Sequence, residues 1–291
     1  MSTELVGTAR AYYVHMSTAT ALTRATHPGP TVSVTIVALL IGVAADLSPL
    51  RLVILGVVIL TNQASIGLSN DWLDAERDRT SGRRDKPVAL GLVRMETVRA
   101  WAVGTAMASV AISIALGPSA TIANVVFIAS AWSYNLGMKG TPYSVVPYLV
   151  SFGLLPLIVT LSREDAAPAA WWAMGMGALL GAAAHFANVL PDFDDDRRTG
   201  IRGLPHRLGR VTSGFVIAGA LVAASALAVF GLGDEARWIG WVGLALTTAI
   251  AVISVVLLSR RPPTRLLFRL IILAALVNVA LLAVSGDSLL A

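Results

Sequence analysis

The stretch NDWLDAERD, residues 70–78, follows a long apolar run and decides how this chain folds. Four of its nine residues are acidic, whereas the whole chain of 291 residues has 17 Asp and Glu. If the apolar run continues as a helix through this stretch, Asp71, Asp74 and Asp78 lie at i, i+3 and i+7 on one face. The sequence therefore predicts concentrated negative charge at the end of an apolar helix.

The composition around this stretch is typical of a membrane protein. Hydrophobic residues make up 56% of the chain and charged residues 13%. Soluble domains contain about 25% charged residues, so this composition indicates a lipid environment. The absence of cysteine excludes disulfides, thiolate metal sites and a cysteine nucleophile. The net charge of +5 is explained by the loop charges that fix topology, and no nucleic-acid partner is expected.

Nine apolar segments near bilayer length predict an all-α polytopic membrane helix bundle of about nine transmembrane helices, in a single domain over 1–291. The predicted spans are 31–45, 50–68, 98–116, 120–136, 145–161, 169–190, 211–230, 238–258 and 266–284. Residues 1–30 lack the apolar run of a signal peptide and are predicted to form a cytosolic N-terminal segment.

The basic residues predict the orientation of the bundle. If the N-terminus is cytosolic, 19 of the 22 Lys and Arg lie on its side, and the exceptions are Arg51, Arg163 and Arg237. Because short cytosolic loops carry an excess of Lys and Arg, the N-terminus and the acidic stretch are predicted to be cytosolic and the C-terminus outside.

A second acidic stretch, NVLPDFDDD at residues 188–196, matches the first at an offset of 118 residues, with nine identities in 22 ungapped positions. The identical pairs are Asn70 and Asn188, Asp74 and Asp192, Asp78 and Asp196, Arg79 and Arg197, Gly82 and Gly200, Arg84 and Arg202, Pro87 and Pro205, Leu90 and Leu208, and Gly91 and Gly209. The offset also maps the second span onto the sixth. We therefore predict a duplicated four-helix unit, 31–136 and 145–258, followed by a ninth helix at 266–284.

The two acidic stretches together predict a cation site at the cytosolic mouth of the bundle. Both stand at helix C-terminal ends, where the helix dipole disfavours a carboxylate by up to about 1 kcal/mol. Oxygen ligands without His or Cys in the matched positions suit Mg2+, which usually completes its shell with water and substrate phosphates. Interleaved arginines and lysines would add charge for the same phosphates. A metal site for a polyphosphate beside lipid-like walls describes a prenyl diphosphate pocket.

The pattern NDxxDxxxD after a second span, with DxxxD after a sixth, resembles the UbiA superfamily of intramembrane prenyltransferases. This resemblance implies Mg2+-dependent ionisation of a prenyl diphosphate donor and alkylation of a small lipophilic acceptor, commonly an aromatic ring. It implies that the Mg2+-diphosphate is held by Asn70, Asp71, Asp74, Asp78, Asn188, Asp192 and Asp196. The catalytic residues expected from it are Asp71, Asp74, Asp78, Asp192, Asp196 and Tyr134. The residues expected to contact diphosphate are Lys86, Lys139, Arg79, Arg84 and Arg202.

Two other functions fit parts of the pattern. A membrane terpene cyclase would share the site, but the double bonds of its own substrate would trap the cation. A cation or phosphate transporter would use the duplicated acidic stretches for translocation, although transporters of this kind place such groups near the bilayer midplane. His185 within the sixth span has either a functional or a packing role, and His27 before the first span lies either near the pocket mouth or at a solvated helix start. Acceptor identity, prenyl chain length and oligomeric state stay open.

Overall fold

The computed structural model describes residues 17–83, 86–232, 234, 237–260, 265–284 and 286–291. These residues form thirteen α-helices. The helices are α1 (Thr18–Ala25), α2 (Pro28–Ala44), α3 (Pro49–Leu73), α4 (Ala75–Thr80), α5 (Met95–Ser113), α6 (Pro118–Asn135), α7 (Val146–Leu161), α8 (Trp171–Val189), α9 (Phe193–Arg198), α10 (Leu204–Leu208), α11 (Arg210–Gly231), α12 (Arg237–Arg260) and α13 (Arg265–Ala283). Three 3-10 turns follow α5, α6 and α13.

Nine of the helices in the described ranges have at least sixteen residues, and each covers one predicted apolar segment. Within these ranges, α3, α5 with its 3-10 turn, α11 and most of α12 are long and apolar enough to cross a bilayer. Helices α1 and α2, bent by 59°, would together form a fifth span. The all-α membrane bundle is confirmed, and the number of nine spans stays a prediction. Residues 1–16 of the predicted N-terminal segment lie outside the described residues.

Consecutive long helices pack against one another and arrange the bundle around a central space. Helix α2 packs on α3, α3 on α5, α6 on α7, α7 on α8, α8 on α11, α11 on α12, and α12 on α13. Helix α13 contacts α2 and so connects the end of the chain to its beginning. The close approach of α7 and α8 depends on Gly181, where an added Cβ would lie 2.4 Å from the Tyr148 carbonyl oxygen. Small residues at such positions let helices in a membrane approach closely.

Two arginines stabilise the end of the bundle farthest from the acidic stretches. Arg51 donates to the carbonyl oxygens of Ser162, at 2.8 Å, and Leu116, at 3.4 Å. Arg163 donates to the carbonyl oxygen of Ala45. These carbonyls stand at helix C-terminal ends, where partial negative charge favours a guanidinium group. Two of the three basic residues predicted to lie outside therefore have a capping role at this end.

The two acidic stretches end in backbone turns of the same conformation. Helix α9 begins and ends 118 residues after the first and last residues of α4. Gly82 and Gly200, which follow these helices, have φ angles of 70° and 85°. Glycine adopts this left-handed conformation without the strain that a Cβ adds, which accounts for the matched glycines. The duplication of a whole four-helix unit stays a prediction.

Candidate active site

A cavity of about 470 Å3 lies where the two acidic stretches face each other. Six of the seven predicted metal ligands line it, and these are Asn70, Asp74, Asp78, Asn188, Asp192 and Asp196. Tyr134, Lys86 and Lys139 line the same cavity. The structure therefore brings together nine residues that the sequence predicted for one site, from four stretches of the chain at 70–78, 86, 134–139 and 188–196.

Asp74 stands at the junction of α3 and α4 and is surrounded by donors. Its Oδ2 accepts hydrogen bonds from Asn70 Nδ2 at 3.0 Å and from Arg77 Nη2 at 2.7 Å. Its Oδ1 accepts a hydrogen bond from Lys139, on the 3-10 turn after α6. Burial lowers the pKa of Lys139, while the neighbouring Asp74 carboxylate raises it. This group of side chains concentrates positive charge beside one wall of the cavity.

Asp78 lies on the same wall and has an unpaired carboxylate oxygen. The residue is 4% exposed, and its Oδ2 has no hydrogen-bond partner among the described atoms. Burial raises the pKa of Asp78 above its ordinary value, an effect that the Lys86 charge opposes. A nearby cation stabilises the ionised form of such a buried carboxylate, whose oxygen has no hydrogen-bond partner among the described atoms.

The second acidic stretch forms the opposite wall. Asp192 forms an ion pair with Arg83, with 2.8 Å between Asp192 Oδ2 and Arg83 Nη1. Burial raises the pKa of Asp196 to about 6, with Arg77 opposing and Asp192 adding to the shift. Asn188 Nδ2 lies 3.5 Å from the Tyr148 hydroxyl oxygen. This wall thus carries two further carboxylates and an amide, which are oxygen donors suited to a hard cation.

Asp71 differs from its neighbours because it does not line the cavity. Its Oδ1 accepts a hydrogen bond from Lys86 Nζ at 2.6 Å and lies 2.8 Å from His27 Nε2. Lys86 Nζ is also 3.2 Å from Asn70 Oδ1 and 2.9 Å from His27 Nε2. Asp71 is one residue beyond Asn70, which is about 100° around the helix. The geometry therefore does not support the prediction of Asp71 as a metal ligand and makes it the partner of Lys86.

The predicted arginines lie away from the cavity or outside the described residues. Arg79 pairs with Glu76 at 2.7 Å, and both side chains are exposed. Arg202 is exposed and lines a separate surface groove. Arg84 lies outside the described residues. Arg79 and Arg202 are therefore not brought together with the nine residues of the cavity.

An aromatic cluster forms the wall deeper in the bundle. The rings of Tyr134 and Tyr148 meet edge to face at 5.2 Å, and Tyr148 stacks on Phe152 at 6.1 Å. His185 lies 4.9 Å from Tyr148. The Ser144 hydroxyl accepts a hydrogen bond from the Leu204 backbone N–H at 2.8 Å and shares a hydrogen bond of 3.0 Å with His185 Nε2. Ser144 therefore connects the start of α10 to the aromatic wall.

Two polar residues that line the cavity, Arg77 and Tyr148, were not recognised in the sequence. Arg77 stands three residues after Asp74, a spacing that brings side chains together on a helix and could have been recognised. Tyr148 reaches the cavity through contacts between segments distant in sequence. Arg83, one of the interleaved arginines, and His27, which precedes the first span, also line the cavity.

The donor set of the cavity fits a hard divalent cation. Within the described residues, no three His, Asp or Glu side chains converge in a geometry that alone would hold a metal. Mg2+ usually needs one or two carboxylates and completes its shell with water and phosphate oxygens. The unpaired Oδ2 of Asp78 and the other carboxylates that line the cavity can meet that requirement.

Comparisons with known proteins found a matching family model and similar solved structures. A family model described as the UbiA prenyltransferase family matches residues 31–284. No curated protein sequence matches the chain at a significant level. A UbiA homologue from Archaeoglobus fulgidus, solved with GPP and Mg2+, has a TM-score of 0.68 and 14% identity and covers 91% of this chain and 99% of its own.

Two further solved structures share the fold. The apo UbiA homologue from Aeropyrum pernix K1 has a TM-score of 0.64 and 18% identity, over 91% of this chain and 98% of its own. A digeranylgeranylglyceryl phosphate synthase has a TM-score of 0.68 and 14% identity, over 94% of this chain and 99% of its own. At these identities the likeness establishes the fold.

Proposed function

The chain belongs to the UbiA prenyltransferase family, and on that premise we propose that it transfers an isoprenyl group from a prenyl diphosphate to a small lipophilic acceptor with an aromatic ring. The reaction is Mg2+-dependent and takes place at the cytosolic face of the membrane. One observation carries the proposal: both Asn-x3-Asp-x3-Asp sets line a single cavity that continues into an aromatic wall.

The two Asn-x3-Asp-x3-Asp sets would hold Mg2+ and the donor's diphosphate. Their members are Asn70, Asp74, Asp78, Asn188, Asp192 and Asp196. When bound, Mg2+ neutralises charge on the departing diphosphate and so lowers the barrier to breaking the bond between allylic carbon and oxygen. The binding of GPP and Mg2+ by the Archaeoglobus fulgidus homologue supports this assignment.

Basic side chains on both walls bind the diphosphate oxygens. Lys139 and Arg77 hold Asp74, and Arg83 holds Asp192, so their charges already face the cavity. Charge-assisted hydrogen bonds to phosphate are about twice as strong as neutral ones. When the donor binds, Lys139, Arg77 and Arg83 exchange their carboxylate partners for phosphate oxygens. Lys86 stays paired with Asp71.

The aromatic wall protects and stabilises the electron-poor allylic carbon. Tyr134, Tyr148 and Phe152 present ring faces and edges to the same side of the cavity. Such faces attract positive charge, and a water-poor wall prevents its capture before the acceptor ring attacks. Ser151 and Phe127 continue the lining towards the bundle interior.

The cytosolic location rests on the distribution of charge. Asp71 and Asp74 lie at the C-terminal end of α3, and Arg51 lies near its N-terminal end. Twenty helical residues separate Arg51 from Asp71, or about 30 Å. The loops with most Lys and Arg are on the side of the cavity, and that side is cytosolic by the rule for short loops.

The test is diphosphate release by purified protein in detergent. Geranyl, farnesyl and geranylgeranyl diphosphate are supplied with Mg2+, with and without a panel of phenolic acceptors. Release that requires both Mg2+ and an acceptor, with a prenylated product, supports transfer. Release without an acceptor, together with a cyclic hydrocarbon or alcohol, replaces transfer by terpene cyclisation. Absence of both release and Mg2+-dependent diphosphate binding overturns the proposal.

A further inference from the structure

A second depression, of about 350 Å3, lies on the surface near the loop that joins α9 to α10. Its lining consists of Arg197, Arg202, His206 and Arg207. The three arginines are exposed, and the described lining includes no acidic residue. We refer to these four residues as the arginine groove.

The arginines of the groove differ in their partners from four other arginines near the two acidic stretches. Arg77, Arg79, Arg83 and Arg210 each pair with a carboxylate at 2.7 or 2.8 Å. Within the described side chains, no such ion pair involves the three groove arginines. Arg207 Nε donates to the Arg202 carbonyl oxygen at 3.0 Å, which fixes two of the groove residues relative to each other. The groove thus gathers guanidinium groups that have no ion pair with a carboxylate among the described side chains.

His206 forms a wall shared by the groove and the main cavity. It lines both, and its side chain is 2% exposed. The ring packs on Phe193, with centroids 4.8 Å apart. Neither ring nitrogen has a hydrogen-bond partner among the described atoms, although Nε2 lies 3.5 Å from Asp196 Oδ2. A buried imidazole that makes no hydrogen bond among the described atoms, beside three guanidinium groups, is energetically unfavourable unless a polar ligand reaches it.

We propose that the arginine groove is a second binding site, for the phosphate group of an anionic ligand, and that His206 separates it from the main cavity. Arginine recognises phosphate with planar, two-pronged hydrogen bonding, and several arginines around one depression match a multiply charged anion. Two sources supply this chemistry. One is free diphosphate, and the other is the phosphate headgroup of an anionic lipid.

This inference does not depend on prenyl transfer, because it concerns residues outside the two Asn-x3-Asp-x3-Asp sets. The bias of basic residues towards cytosolic loops accounts for the number of arginines. It does not account for their convergence on one depression or for the buried imidazole behind them. These two features point to a ligand.

The first arm of the test measures binding of inorganic diphosphate to the full-length protein in detergent with EDTA, which removes the Mg2+-dependent contribution of the main cavity. The variants are Arg202→Gln and the double variant Arg197→Gln/Arg202→Gln. Arg94→Gln, at the exposed cytosolic start of α5, removes the same charge away from the groove. We expect each groove substitution to weaken binding about tenfold, the scale of a lost charge-assisted hydrogen bond. Arg94→Gln leaves binding within about twofold of wild type, because it removes only distant, screened charge.

The second arm counts lipids retained by the protein in native mass spectrometry, after purification with phosphatidylglycerol or phosphatidylcholine. Loss of retained phosphatidylglycerol in the double variant, with phosphatidylcholine unchanged, identifies a lipid headgroup as the source. His206→Phe keeps the ring against Phe193 and removes both nitrogens, and it weakens whichever ligand the site binds.

Equal behaviour of wild type and the double variant in both arms overturns the proposal. Donor binding in Mg2+, measured on the same preparations, shows that each variant is folded and keeps this outcome separate from a failure of the proposed prenyl transfer. A double variant that loses anion binding in EDTA while keeping Mg2+-dependent donor binding assigns the second site to the groove.

Discussion

Arg83, after the first acidic stretch, donates to Asp192 of the second at 2.8 Å and so connects the two walls of the cavity directly. The residues are 109 positions apart in the chain. Their side chains are 25% and 42% exposed. The contact holds the loops that follow the two acidic stretches together above the site, and solvent at this exposure screens much of its energy.

The Arg83–Asp192 pair is therefore expected to matter more for donor binding than for stability. In a double-mutant cycle with Arg83→Gln and Asp192→Asn, the coupling in unfolding free energy should be about 0.5 kcal/mol, as for partly exposed pairs. Arg83→Gln alone should raise KM for the donor about tenfold, because a charge-assisted bond to diphosphate is lost. Thermal unfolding and steady-state kinetics measure the two effects. A loss of stability without a change in KM would show that the contact is only a structural clamp.

Asp71 is predicted to act through Lys86. Its side chain is 1% exposed and that of Lys86 is 10% exposed, so removing one partner leaves a buried charge. Lys86→Met should destabilise the protein by about 3 kcal/mol, and Lys86→Met/Asp71→Asn should destabilise it less. Asp71→Asn should raise KM for the donor with the Mg2+ requirement unchanged.

Glutamate at position 71 provides the control for this pair. Asp71→Glu keeps the carboxylate and should restore part of the donor affinity. If Asp71→Asn instead shifted the Mg2+ concentration needed for half-maximal activity while KM for the donor stayed constant, Asp71 would be a metal ligand after all.

Tyr134 is predicted to act through its ring. Tyr134→Phe should stay within about threefold of wild-type kcat, and Tyr134→Ala should lose about thirtyfold, equivalent to a cation–π contribution of about 2 kcal/mol. Single-turnover product formation with saturating donor and acceptor measures both. Equal losses in the two variants would assign the role to the hydroxyl group.

Gly181 tests the close packing that positions Tyr148. An added Cβ would lie 2.4 Å from the Tyr148 carbonyl oxygen, so Gly181→Ala must push α7 away from α8. We expect a loss of about 2 kcal/mol of stability together with lower kcat. Gly219→Ala is the matched control, because that helical glycine in α11 has open space around it. Similar melting temperatures for the two variants would contradict this packing account.

The sequence predicted the helices well because apolar runs determine them. Gly117-Pro118 illustrates the local rules: Gly117 adopts a φ of 113°, and α6 begins at Pro118, where the missing N–H costs nothing. The offset between the acidic stretches predicted matched positions, and the matched Gly82 and Gly200 adopt the same left-handed conformation.

Asp71 shows where the local pattern was ambiguous. The spacing i, i+3, i+7 places Asp71 on one helical face with Asp74 and Asp78. The spacing i, i+4, i+8 places Asn70 there in its stead, so the spacing alone did not decide whether Asp71 faces the cavity. The repeat contained the discriminating signal, because position 189, which corresponds to Asp71, is a valine whereas Asn70, Asp74 and Asp78 all have identical counterparts.

The contacts between distant segments could not be predicted from the sequence. His27 reaches Asp71 because the chain bends between α1 and α2, with His27 itself at a φ of 54°. Arg83 reaches Asp192 because α3 and α8 bring their ends to the same cavity. Helix periodicity specifies which residues share a face, but these contacts depend on the packing of whole helices.

The central claim is that both acidic stretches form one Mg2+-diphosphate site, and binding of geranyl diphosphate in Mg2+ or EDTA tests it most directly. The proteins compared are wild type, Asp74→Asn, Asp192→Asn and the double variant. The account predicts Mg2+-dependent binding that falls about a hundredfold in either single variant. It also predicts little further loss in the double variant, because the effects of two substitutions on binding free energy do not add when both residues belong to one site. Binding that does not depend on Mg2+, or losses that simply add between the two variants, would contradict a single shared site.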